Sequence, residues 1–188
     1  AAVKGGSGAL QELIAIDFAS SLGDALAQRE AMGDILYLTP SAYKEAMARI
    51  GGIITTMANA YKKEGAKAEG EFVSSRDALF GMIEKGYPLP QDIPAEEKST
   101  LSTAMVSTIL KEKASNPGRT RSAIRTLGQL KSQDAAAYLL SLAEASDYQV
   151  ESIKALGETG YRPAVPVLVK QLKTSKDGEV RRVSILAL

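Results

Sequence analysis

Histidine and cysteine are both absent from this 188-residue chain. Without cysteine the protein forms no disulfide bonds and has no thiolate ligands for a metal ion. Without histidine it lacks the commonest general base, the usual partner of a serine or cysteine nucleophile and the commonest ligand of transition metals. We therefore expect a protein that is not an enzyme and that holds no metal or other cofactor.

Aromatic side chains and long apolar runs are also scarce. The chain has no tryptophan, and aromatic residues make up 5% of it, whereas charged residues make up 24%. These charges interrupt every apolar stretch well before the roughly 18 residues that a membrane-spanning helix needs. The remaining composition is rich in Ala, Leu, Ile, Met, Lys and Glu, which favour helices over strands. The composition predicts a soluble, all-α protein.

The small net charge of +1 conceals an asymmetry between the two parts of the chain. Residues 1–115 carry 12 basic against 15 acidic residues, and residues 116–188 carry 11 basic against 7 acidic residues. An excess of positive charge attracts acidic partners over a distance of about a Debye length. We therefore expect the partner to be another protein, and an acidic one.

Residues 1–115 predict a bundle of four amphipathic helices. Their expected ranges are about 8–32, 41–64, 71–85 and 95–114. The first range places an apolar residue at every fourth position, at Leu10, Ile14, Phe18, Leu22 and Leu26. Such spacing puts all apolar side chains on one face of a helix. Gly86, followed by two prolines, is expected to end the third helix, and the run from Asn116 to Gly118 the fourth.

The second predicted helix has an apolar stripe with alternating spacings of four and three residues. Its members are Tyr43, Met47, Ile50, Ile54, Met57 and Tyr61. This heptad pattern is typical of a stripe that faces a partner helix, which could belong to a second copy of the chain. The stripe is short, however, and Gly51 and Gly52 interrupt it, so packing within the same domain is favoured over self-association.

Residues 116–188 contain an internal repeat with a period of 29 residues. When residues 118–146 are laid over 147–175 without a gap, the following residues coincide: Ile124 with Ile153, Leu127-Gly128 with Leu156-Gly157, Ala135 with Ala164, and Leu139 with Leu168. A partial third copy, residues 177–188, stops within its first helix, as expected if the chain is cut from a longer protein or if its tail is disordered. A period of this length indicates a solenoid of stacked helical pairs.

The second unit carries a recognisable motif from Val150 to Leu168, with Leu156-Gly157, Gly160 and Pro163-Ala-Val in order. It resembles the short HEAT-like repeat first described in phycobiliprotein lyases, over about residues 118–188. The resemblance implies an α-α superhelix, or α-solenoid, with a curved surface for partners. We interpret Gly157 and Gly160 as residues that let the chain turn. The first unit departs from the motif, because Lys131 and Asp134 occupy the positions of Gly160 and Pro163.

The preferred functional hypothesis is a non-enzymatic module or scaffold subunit that binds other proteins through the repeat surface. The residues predicted to contact the partner are Tyr138, Lys170, Lys173, Arg181 and Arg182. A first alternative is a helical enzyme or small-ligand-binding domain, as in the phycobilin lyases, with its site between the N-terminal helices and the repeats. A second alternative is a nucleic-acid binder, which the absence of a dense Lys/Arg cluster makes the weakest of the three.

The sequence leaves the compartment open. The chain starts at Ala1 rather than at methionine. We expect a cytoplasmic protein, or a periplasmic or secreted one if the missing methionine reflects removal of a signal peptide.

Overall fold

The computed structural model describes residues 39–144 and 147–188, and this part of the chain is helical throughout, without strands. Its α-helices are α1 (Pro40–Glu64), α2 (Glu71–Glu84), α3 (Ala95–Glu112), α4 (Pro117–Gln129), α5 (Ala136–Glu144), α6 (Gln149–Thr159), α7 (Val165–Thr174) and α8 (Gly178–Ala187). Short 3-10 turns lie at Gly65–Lys67 and Arg162–Ala164. The helix predicted at about 8–32 lies outside the described residues. None of the described helices is both long and apolar enough to cross a membrane.

The helix ends follow from capping residues that the sequence supplies. Thr39 caps α1, its hydroxyl accepting a hydrogen bond from the amide of Ala42 at 3.3 Å. Asn116 caps α4 in the same way, and Pro117 occupies the first helical position, where a missing amide hydrogen costs nothing. Gly86, the second residue after α2, has a φ of 85°, a left-handed conformation that glycine adopts without steric cost.

The helices form two layers of a solenoid. Each odd-numbered helix packs against the even-numbered helix that follows it, from α1 with α2 to α7 with α8. The even-numbered helices also pack on one another in sequence order and make one closely packed layer. In the other layer α5 and α7 touch much less extensively. The predicted all-α fold with an α-solenoid is confirmed.

A continuous apolar core runs through both layers from Ala46 to Val183. Three pairs of equivalent repeat positions lie in it at no more than 2% exposure: Ile124 and Ile153, Leu127 and Leu156, Leu139 and Leu168. Because the core passes through residue 116 without a break, the division of the chain into two domains at that point stays a prediction.

The third, partial repeat follows the pattern only in part. Val180 and Val183 are buried, as their repeat positions require, but Leu186 is 72% exposed although its equivalents Leu127 and Leu156 are buried. The helices that carry those two residues, α4 and α6, each pack against the next even-numbered helix. The corresponding face of α8 is uncovered among the described residues.

The interpretation of Gly157 as a turn residue was wrong. Gly157 lies inside α6, and a Cβ atom added to it would stand 2.8 Å from the Cα of Ala187 in α8. Gly128 has the same role in α4, since its added Cβ would stand 2.8 Å from the Cα of Ala155. Both glycines, 29 residues apart, therefore serve close helix packing, and only Gly160, with a φ of 62°, makes the turn.

A network around a buried arginine joins α2, α3 and α4, with Arg119 of α4 donating a hydrogen bond to Asp77 at 2.6 Å. Arg76 is 4% exposed, and its guanidinium lies 6.0 Å from the ring centre of Phe72 and 5.9 Å from that of Phe80. It donates hydrogen bonds to Glu112 in α3 at 2.7 Å and to the neighbouring Asp77. This network fills the junction between the N-terminal helices and the first repeat.

Candidate interaction surface

An exposed group of cations lies where α7 ends and α8 begins. We define the basic edge as Lys170, Lys173, Lys176 and Arg181, all of which are exposed. Lys170 and Lys173 are three residues apart on α7 and therefore share one side of that helix. The sequence from 160 to 176 contains no acidic residue. The local charge is accordingly positive.

Local hydrogen bonds fix the turn that carries the basic edge. Arg181 donates from Nη1 to the backbone carbonyl of Ser175 at 2.8 Å, which holds its side chain beside the end of α7. Asp177 caps α8 and accepts a hydrogen bond from the amide of Glu179 at 2.8 Å. The carboxylate of Asp177 is therefore engaged with the backbone, as expected at a helix start.

The cations of the basic edge are free to meet an external carboxylate. Within residues 39–144 and 147–188, none of the four forms an ion pair with an acidic side chain. Exposed lysine and arginine side chains without internal partners carry their full charge into the solvent. Binding of a carboxylate here would not first require an existing ion pair to break.

Arg182, which the sequence grouped with these cations, is placed differently. It forms two hydrogen bonds with Glu179, at 2.7 and 2.6 Å, and Glu179 also lies 3.6 Å from Lys154 of α6. The hydrogen bond from Arg182 lowers the pKa of Glu179 to about 2. The charge of Arg182 is thus matched within the chain, on the side of α8 that faces α6. Its role in partner binding stays a prediction.

Tyr138, the aromatic member of the predicted set, is partly buried against the core on α5. Its hydroxyl group is buried and has no hydrogen-bond partner among the described residues, and burial raises its pKa. The hydroxyl is therefore turned away from solvent rather than offered to a partner. The role of Tyr138 in partner binding stays a prediction.

Lys176 was missing from the predicted set. It lies in the turn between α7 and α8 rather than on a helix. The signal that could have identified it is the run of residues 160–176, in which basic side chains recur without a single acidic one. A search restricted to helix faces overlooks such a residue.

The apolar stripe of the second predicted helix lies in α1 and packs inside the chain. Three members are at most 1% exposed: Ile50, Ile54 and Met57. Met47 and Tyr61 are partly buried against the same core, and only Tyr43, at 41% exposure, is accessible. The stripe as a whole is therefore not available to a second copy of the chain, and self-association at another surface stays a prediction.

Carboxylate pairs at helix starts have structural partners. Glu96 and Glu97, at the start of α3, bind Lys62 at 2.7 Å and the hydroxyl of Thr55 respectively. Among the described residues no group of three or more potential ligands could hold a metal ion. These carboxylates connect α3 to α1.

Comparison with known proteins identifies the repeat region. Residues 105–188 match the family of HEAT repeats, beginning within α3 and including α4 to α8. No curated protein and no solved structure matches the chain. The paired helices, the closely packed layer and the 29-residue period agree with this match. The match and the fold therefore agree that residues 105–188 resemble HEAT repeats.

Proposed function

We propose that this chain is a non-enzymatic interaction module whose HEAT repeats bind an acidic partner protein at the basic edge. The observation that carries the proposal is the group of four exposed cations at the α7–α8 turn, none of which is paired with an acidic side chain of the described chain. Protein binding is the common role of helical-repeat scaffolds, which supports the proposal by analogy of fold.

The size of the electrostatic contribution is modest and depends on salt. Exposed ion pairs contribute roughly 0.2–1 kcal/mol each, so four of them supply about 1–4 kcal/mol. Such charges mainly increase the association rate and select for partners of opposite charge. The remaining affinity must come from apolar contacts outside the four cations.

The buried junction of α2, α3 and α4 does not support the alternative of a small-ligand site at that point between the N-terminal helices and the repeats. At that junction Arg76 and its partners occupy the space among α2, α3 and α4. The ion pair between Arg76 and Glu112, at 2.7 Å, joins two of these helices directly. A small molecule would have to displace this network to bind there.

A charge-reversal variant tests the proposal. The intact chain and a variant with Lys170→Glu, Lys173→Glu and Lys176→Glu are used to capture partners, which are identified by mass spectrometry and then purified for affinity measurements. We expect the variant to lose at least tenfold in affinity for the identified acidic partner, with unchanged helicity. The affinity of the unaltered chain should also fall as salt is raised.

A matched control separates the basic edge from net charge. The substitutions Lys44→Glu, Lys63→Glu and Lys67→Glu change the same total charge at exposed positions in and after α1. We expect this control to bind the partner almost as well as the unaltered chain. If both variants lose affinity equally, or if neither does, the basic edge is not the binding surface.

A further inference from the structure

A groove lies at the connector between α2 and α3. It has a volume of about 290 Å³ and is lined by Pro88, Leu89, Pro90, Gln91, Ile93, Lys98, Gln129, Leu130 and Lys131. Its only charged lining residues are therefore two lysines, one at the start of α3 and one just after α4. We call it the connector groove.

Lys131 has a backbone conformation that favours a different residue. Its φ is 53°, and it is the only residue other than glycine with a positive φ in the described chain. The equivalent residue in the next repeat, 29 positions later, is Gly160, with a φ of 62°. A left-handed conformation costs a residue with a Cβ atom roughly 1–2 kcal/mol, which glycine does not incur. The first repeat thus has a strained lysine at the position where the second repeat has an unstrained glycine.

Neither lysine of the connector groove is neutralised nearby. Among the described residues, Lys98 and Lys131 take part in no ion pair within 4.0 Å. Glu158 interacts with Lys131 only over a longer distance. Burial raises the pKa of Glu158, and the positive charge of Lys131 lowers it by a smaller amount. The groove accordingly presents positive charge that no close ion pair neutralises.

The apolar wall of the groove is held in a fixed position. The amide of Leu89 donates a hydrogen bond to Oε1 of Gln129 at 2.9 Å, which ties the connector to α4. Pro88 and Pro90 on either side of Leu89 restrict the backbone further. A preformed wall of this kind reduces the ordering cost of binding an extended chain.

We propose that the connector groove binds an extended acidic segment of a partner protein, with a carboxylate between Lys98 and Lys131 and an apolar side chain against Pro88 and Pro90. The charge complementarity and the strained lysine both favour a carboxylate ligand. The charge of Lys131 then explains why a lysine occupies this left-handed position.

This groove is separate from the basic edge. Gln133 donates to the backbone carbonyl of Thr159 at 2.6 Å, so the connectors after α4 and after α6 lie at the same edge of the solenoid. α7 starts at that edge and ends at Lys173 and the basic edge, at the opposite side. The inference therefore does not rest on the function proposed above, and the two sites can be tested independently.

The test uses the intact chain, labelled with ¹⁵N, and a short blocked peptide in which glutamate and leucine alternate. We expect the peptide to shift the amide signals of Leu89, Lys98 and Lys131. The variants Lys98→Gln and Lys131→Gly should each weaken binding about three- to tenfold. Lys131→Gly should raise the melting temperature, because it removes the strain, so a loss of binding cannot be attributed to unfolding.

Three controls decide the outcome. Lys173→Gln, on the basic edge, should leave the affinity for the peptide unchanged, and a peptide with glutamine in place of glutamate should not bind. Inorganic phosphate at equal ionic strength should displace the peptide poorly. Peptide shifts confined to α7 and α8, full affinity in Lys131→Gly, or displacement by phosphate at the same concentration as by free acidic peptide would each overturn the proposal.

Discussion

Gly128 provides the sharpest test of how the closely packed layer is built. The residue lies in α4 and faces α6, and a methyl group added there would stand 2.8 Å from the Cα and 3.0 Å from the Cβ of Ala155. It would also stand 2.6 Å from Oε2 of Glu158, a flexible side chain that can move aside. The backbone of Ala155 cannot move without shifting α6. The substitution Gly128→Ala therefore forces the two helices apart.

The expected magnitude follows from two opposing effects. Alanine in a helix interior is more stable than glycine by about 1 kcal/mol. Ordinary contacts of a Cβ atom begin at 3.4 Å, so the added carbon at 2.8 Å is too close by roughly 0.6 Å. Overpacking of this kind costs about 1–3 kcal/mol. We expect Gly128→Ala to lower the free energy of unfolding by up to about 2 kcal/mol.

Gly81→Ala is the matched control. Gly81 occupies a similar place near the end of α2, and a Cβ atom added to it meets nothing within 4 Å. This variant should gain up to about 1 kcal/mol of stability, so the two substitutions should differ in sign. Urea denaturation followed by circular dichroism, and the melting temperature, measure both. The reasoning is refuted if Gly128→Ala is as stable as Gly81→Ala.

Three further predictions concern charged side chains. Arg76→Met should destabilise the fold by about 2–4 kcal/mol in urea denaturation, because it leaves Glu112 without its buried partner, and adding Glu112→Leu should restore part of the loss. Burial raises the pKa of Glu158, so the native state holds this proton more tightly than the unfolded chain does. The free energy of unfolding should therefore fall as pH rises above 4.5. Glu158→Gln should reduce this dependence on pH in denaturation series between pH 4 and 8. Carboxyl NMR should show Glu179 titrating at about 2 and moving toward 4.5 in Arg182→Gln, whereas an unchanged titration would exclude the pairing.

Helix positions and the core of the repeats were predictable because both follow from short-range patterns. Apolar spacing and capping residues placed α1, α2 and α3 within one or two residues of the observed ends. The 29-residue period identified core residues such as Ile124 and Ile153 in advance. Each of these features depends on residues that are near in sequence or on a comparison of the chain with itself.

The roles of particular residues within the repeat could not be predicted, because they depend on contacts between helices. Glycine is suited both to a tight turn and to close packing, and only the position of Ala187 shows that Gly157 serves packing. In the same way, the sequence shows Arg182 as one cation of a group, whereas the ion pair with Glu179 removes it from that group. The repeat spacing identifies which positions carry a structural constraint, and the contacts between helices determine what that constraint is.

The same glycine contacts also bear on the shape of the repeat surface. Gly128 and Gly157 let α4, α6 and α8 approach until their backbones nearly touch, whereas α5 and α7 in the other layer touch little. Within the repeats the even-numbered helices α4, α6 and α8 therefore form the more closely spaced layer. Because the basic edge and the connector groove lie at opposite edges of the solenoid, a single extended partner can reach both only by crossing a layer of helices. The spacing of that layer, set by two hydrogen atoms in place of methyl groups, therefore determines the span that such a partner must have.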